Sequence, residues 1–343
     1  MRKTTIMRKR PNARFAIPSS RVARRYCIFA TLAASICGMQ AREANAQTFP
    51  TRTIEIVVPF PAGGSADVLT RVMAKQMSEI LKQPIVVSNV AGANGAVGTE
   101  RIARQPPDGY ILGAATSSHP TLPFLVETFK ADPVKDFTSI CLYGDGPVIA
   151  LVNPTLPIQN IADLIAYAKA NPGKASIGNS EAATMLTGEL FKMMAGVDLQ
   201  QVAYKGGAPL MTDVVGGHIP VAVTSVTTVM PHYKSQKLRV LGVSSKTRSS
   251  AMPDVPTISE AGVPGYEVQG WYALLGPKGL PPAIAERLQK EIAKIVSAPE
   301  MHERFETLGA EAAPTTPSET AATMKADMEK WAGVIKKAGI QPQ

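Results

Sequence analysis

The chain has 343 residues, with 36 Lys+Arg against 27 Asp+Glu, a formal charge of +9, three cysteines and four histidines. Residues 1–46 hold ten of the basic side chains and one acid, so residues 47–343 carry 26 of each sign and offer no electrostatic case for a nucleic acid or another polyanion. The length suggests two domains.

The chain opens with a basic stretch, then the apolar run Cys27–Met39, then Ala44-Asn45-Ala46. This order predicts a signal peptide over 1–46, cleaved after Ala46. The apolar run is about 13 residues, short of the roughly 20 that span a bilayer as a helix. Arg24-Arg25 leaves a twin-arginine route open beside the general secretory one. Cys27 and Cys37 leave with the leader, and Cys141, within the apolar run Thr138–Tyr143, is expected to be a buried small hydrophobe.

Beyond Thr51, short apolar runs alternate with segments of helical period, which predicts an α/β fold with a mainly parallel sheet. Ile54–Val58 is a strand ending at Pro59. Val68, Leu69, Val72, Met73, Met77, Ile80 and Leu81 form a helical stripe. Ile85–Val87 is a second strand, followed by a glycine-rich turn and a helix over Thr99–Arg104; Tyr110–Ala115 is a third strand, ending in Thr116-Ser117-Ser118. Gly146–Val152 reads as a long strand crossing to another lobe. Asn160–Asp163 opens a helix, Ala175–Gly178 is a short strand, and Met185, Leu186, Leu190, Phe191 and Met194 form a stripe whose methionines are expected to fill core. Strand–helix units follow at Gln201–Tyr204 and Pro220–Thr224, then a strand at Leu238–Val243. Gly270–Gly276 reads as a second crossover strand. The tail is helical, with stripes at Ile284, Leu288, Ile292 and Ile295 and at Met324, Met328, Trp331 and Ile335. Two lobes, 47–150 plus 271–343 and 151–270, would leave a cleft between them, a favoured place for a ligand.

The strongest local signals lie where a strand hands over to a helix. In Pro59–Asp67 the pair Gly63-Gly64 lets main chain approach a ligand, and Ser65 or Asp67 can cap the helix that follows, whose free N–H groups suit an anion. Tyr204–Asp213 repeats the design. There Lys205 could face the cleft as a counter-ion for a carboxylate or be a solvated lysine at a turn, and Asp213 reads as a structural acceptor. In Gly178–Thr184 the side chains of Asn179, Ser180 and Thr184 could donate to an acid. The spacing Gly92-x-x-Gly95-x-x-Gly98 is not the dinucleotide fingerprint G-x-G-x-x-G, and no Walker G-K-[ST] occurs. The histidines are scattered without an H-x-x-x-H pair, and no G-x-S-x-G elbow is present, so neither a zinc site nor a serine hydrolase is expected.

Eight motifs in order carry a resemblance: Pro59-Phe-Pro-Ala-Gly-Gly-x-x-Asp67, Pro107–Tyr110, Lys135–Phe137, Tyr204–Gly207, Gly216–His218, Lys237–Arg239, Pro253–Thr257 and Glu260–Gly262. Together they resemble the receptors of tripartite tricarboxylate transporters, the Bug- or TctC-type extracytoplasmic solute receptors, over essentially all of 48–343. The resemblance implies a periplasmic, two-lobed α/β binding protein with a central cleft and two interlobe crossover strands. It implies no catalysis and no cofactor. A small organic acid would be the ligand, a membrane permease the partner, and a monomer the expected state; a receptor for a signalling kinase or a secreted α/β enzyme are the alternatives.

Carried over, the family's carboxylate grip falls on Pro61, Ala62, Gly63, Gly64 and Asp67, and its polar strand ends near Thr116, Ser117, Ser180 and Tyr204. Asn179, Lys205 and Thr224 complete the expected ligand set. The chain departs from the family at 178–184, where the loop is shorter and carries Glu181, and at Val223–Thr228. An inward Glu181 would repel a second carboxylate and favour an aromatic monoacid or a ligand bearing an amine.

Overall fold

The computed structural model describes residues 49–343, of which 50–343 form one unit. The expected leader, its two cysteines and the cleavage after Ala46 lie outside the described residues. Strand β1 (Ile54–Val58) pairs in parallel with β2 (Ile85–Asn89) and β3 (Ile111–Thr116). Helix α1 (Ser65–Leu81) links β1 to β2, and α2 (Ala96–Ala103) links β2 to β3. The near-continuous apolar sequence of β1 fits its place between two neighbours, with Ile54, Ile56, Val57 and Val58 fully buried.

After the single-turn helix α3 (Leu122–Leu125), the chain enters β4 (Phe137–Val152), a 16-residue strand that unites the Thr138–Tyr143 and Gly146–Val152 runs. Beyond it lie α4 (Ile161–Ala170), β5 (Ser176–Asn179), α5 (Ala182–Ala195), β6 (Gln200–Ala203), α6 (Gly207–Gly216), β7 (Val221–Ser225), α7 (Val226–Lys234) and β8 (Arg239–Val243). Strand β9 (Gln269–Pro277) then precedes α8 (Pro282–Val296), α9 (Pro299–Thr307) and α10 (Pro317–Ala338).

Among the described residues nine strands form one sheet in the order β2-β1-β3-β9-β4-β7-β5-β6, with β8 also on β4. It is mixed rather than mainly parallel: the wings pair in parallel, whereas β4 and β9 run antiparallel to their neighbours. β9 pairs with β4 from Phe137 to Pro147, and β7 and β8 take β4 from Val148 onward. Register shifts at Ser139/Cys141, Leu142/Gly144 and Ala150/Leu151 twist β4 as it passes from one set of partners to the other.

One core cluster joins Leu122, Leu125 and Phe129 to Ile177, Phe191 and Val221 and to Trp331, Val334 and Ile335 of α10. α10 thus packs into the same apolar body as β5 and β7. Its start is fixed by Thr316, whose hydroxyl accepts the Glu319 N–H while the Glu319 carboxylate accepts the Thr316 N–H. Met194, expected in the core, is 40% exposed beside the exposed Met193. The buried face of α5 ends at Phe191, and Gly196 in the left-handed conformation closes the helix. Cys141 is buried, and burial pushes its thiol up to about 11. Among the described residues no helix is long and apolar enough to cross a membrane.

Candidate functional site

Four helices begin at one cavity. Gly64, Ser65 and Ala66 at the start of α1 line it, with Ser180 and Glu181 ahead of α5, Gly206, Gly207 and Ala208 at the start of α6, and Ser225 and Thr228 at the start of α7. The sheet order explains the convergence, because each of these helices follows the carboxyl end of a strand, where open α/β sheets bind ligands. Each helix start carries partial positive charge, and the α5 start is already partnered through its Glu181/Thr184 capping box and the Ala183 N–H to Ser118 Oγ bond. Gly64, Gly206 and Ser225 supply no side-chain cap, and the Ser225 hydroxyl bonds the Thr228 hydroxyl at 3.0 Å instead. At α4, by contrast, the Asn160 side chain accepts the Asp163 N–H.

The cavity holds about 120 Å³ and adjoins a wider one of about 630 Å³. Phe60, Pro61, Ser180, Glu181, Lys205 and Gly206 line both. The Ala91–Gly95 turn walls the wider space, so the glycine-rich segment that lacks a nucleotide fingerprint serves here as cleft lining. Lys205 is exposed, and its ammonium group pairs with no carboxylate among the described residues.

Among the described residues Glu181 is the one carboxylate lining the two cavities, and it also lines a narrow adjoining pocket. Its Oε2 accepts from the Ser118 hydroxyl at 3.1 Å and the Thr116 hydroxyl at 3.4 Å. Burial raises its pKa, and the two hydroxyls partly offset that rise. Beneath it lies Tyr272, pushed up to about 12 by burial first and by the Glu181 charge second.

The expected ligand residues divide into two groups. Pro61, Ala62, Gly64, Ser180 and Lys205 line the first cavity, Tyr204 the second, and Thr116 and Ser117 the narrow pocket. Gly63 is exposed and lines none of these spaces, and Asp67, Asn179 and Thr224 lie buried behind the lining. Asp67 is buried, and its carboxylate accepts from the Gly63 N–H, Arg71 Nε and Asn89 Nδ2, each at 2.9 Å. That bond holds Gly63 at a φ of 81°, a left-handed conformation that glycine adopts without strain. Asn179 donates to Gln201 Oε1 at 2.9 Å, and the Thr224 hydroxyl bonds that of Ser180 at 2.9 Å. Asp213 accepts the Tyr204 hydroxyl at 2.7 Å, the structural part its position suggests. Sequence reasoning missed Phe60, Ser65, Gly206, Gly207, Ser225 and Thr228 as lining; the strand–glycine–helix handovers were the signal for most of them.

An α/β sheet with unclaimed helix starts around a cavity defines a binding protein for a small anionic solute. The chain belongs to the tripartite tricarboxylate transporter receptor family, whose pattern matches residues 69–340. Protein BugT of Bordetella pertussis is 34% identical over 306 residues, covering 88% of this chain and 94% of BugT. The solved structure of R. palustris Rpa4515 with adipate has a TM-score of 0.83 and 32% identity, covering 86% of this chain and 100% of that one. MatC (Rpa3494) from Rhodopseudomonas palustris with bound malate has a TM-score of 0.78 and 26% identity, covering 84% and 100%.

Proposed function

We propose that this protein is a periplasmic receptor that captures one small organic acid and hands it to the permease of a tripartite transporter. The observation that carries this reading is the meeting of four helix starts at one cavity, three of them without side-chain caps. Main-chain N–H groups of α1, α6 and α7 would take the carboxylate, with Lys205 adding charge from the exposed side. Asp67, Asn179 and Thr224 would act from behind the lining by fixing the loops. The bound adipate and malate of two relatives support a carboxylate as the ligand class.

In this reading the leader over 1–46 exports the chain, 47–150 plus 271–343 and 151–270 move as lobes about β4 and β9, and the receptor works as a monomer without a cofactor or turnover. A thermal-shift panel of mono-, di- and tricarboxylic acids tests it. A ligand at about 100 times its Kd adds about 2.7 kcal/mol of stability, which moves Tm by several degrees in a chain of this size. No shift with any acid, or chemical conversion of a bound one, would overturn it.

A further inference from the structure

We infer that the preferred ligand is a zwitterion, an acid that also carries a cationic nitrogen, with Glu181 as the residue that selects the cation. The inference rests on the receptor reading and concerns the same cavity. The hydroxyls around Glu181 have a defined direction. Thr116 Oγ1 accepts the Ser118 N–H at 3.2 Å and donates its own proton to Glu181 Oε2. Ser118 Oγ accepts the Ala183 N–H at 3.0 Å and likewise donates to Oε2. Two N–H to O–H to carboxylate relays therefore point at one oxygen, an arrangement that fixes the side chain and suits its ionised form. The start of α5 favours the same charge state.

The structure thus builds an anion into the wall of a cavity whose other walls are helix starts and a lysine. A dicarboxylate entering this space would set its second charge against Glu181. An amino acid or other amine-bearing acid would meet complementary charge at both ends: the carboxylate on the α1 and α6 starts and Lys205, the ammonium on Glu181.

Calorimetry on the full protein at neutral pH, with probes of matched length, tests this: γ-aminobutyrate against succinate, δ-aminovalerate against glutarate, and ε-aminocaproate against adipate. The expected result is that in at least one pair the amine-bearing acid binds about tenfold or more tightly, and that Glu181→Gln reverses that preference. Glu181→Asp, which keeps the charge but withdraws it by a methylene, should lower affinity and retain the preference, so the test survives if the glutamine variant folds poorly. Diacids binding as well as their amine partners to the native protein, or a preference unmoved by Glu181→Gln, would overturn the inference and leave the receptor reading intact. Failure of every probe, benzoate and other simple monoacids included, would overturn both.

Discussion

Asp67 shows how a residue beside a ligand loop can govern binding without touching the ligand. Its two oxygens tie Gly63, Arg71 and Asn89 together, and Asn89 Nδ2 in turn donates to the Phe60 carbonyl at 3.0 Å, so the whole 60–64 loop hangs from this cluster. Burial alone would raise the Asp67 pKa, but the Arg71, Gly63 and Asn89 hydrogen bonds outweigh it and hold the carboxyl below its ordinary 3.8. A depressed folded-state value places the stabilisation above the unfolded pKa, complete at neutral pH and lost as pH falls below about 4. Asp67→Ala should therefore keep the fold by circular dichroism yet weaken acid binding about tenfold at neutral pH, the scale of a lost charged hydrogen-bond set. Unchanged affinity in calorimetry would remove Asp67 from that role. The sequence placed Asp67 near the site, but its partner Asn89 lies 22 residues away, and only the pairing of β1 with β2 brings it there. Glu181 was ambiguous for the same reason: its inward orientation depends on Ser118, 63 residues distant in sequence.

The helices that frame the cavity were legible because each starts with a signal that precedes an apolar stripe: Gly63-Gly64 before α1, Gly206-Gly207 before α6. Their convergence was not, since it depends on β7 lying between β4 and β5. α9 escaped notice because its buried face is only Met301 and Phe305, too few apolar positions to establish a period. Gly207 shows how closely the elements meet: a Cβ there would fall 2.5 Å from Thr228 Cγ2 and 2.8 Å from its Oγ1. Gly207→Ala must push Thr228 into the cavity or part α6 from α7. Overpacking of this kind costs about 1–3 kcal/mol. The expected outcome is a Tm lower by several degrees and acid binding weakened about tenfold or more. Adding Thr228→Ser, which deletes the methyl at 2.5 Å, should restore part of both; a single variant with native affinity would contradict a ligand site between these two helix starts.

Across the whole molecule, charge and topology separate cleanly. The net positive charge resides in residues 1–46, and in the balanced remainder the cavity is framed by helix starts, whose dipoles favour an anion. β4 carries the sheet from one set of strands to the other, while α10 packs Trp331, Val334 and Ile335 into the shared core and contributes no residue to the cavities. Any opening of the proposed lobes must therefore pivot on the side of β4 and α10 and spread the helix starts of α1 and α6 apart. The alternation of strands and helices revealed the α/β class from sequence, whereas the antiparallel centre did not show. β4 and β9 read as short apolar runs like the strands that pair in parallel, and strand direction leaves no mark in such a run. The most direct measurement is a crystal structure of the protein saturated with the acid that raises its Tm most. The account expects a carboxylate within hydrogen-bond distance of main-chain N–H groups at the starts of both α1 and α6; an acid bound elsewhere, or gripped by side chains alone, would contradict it.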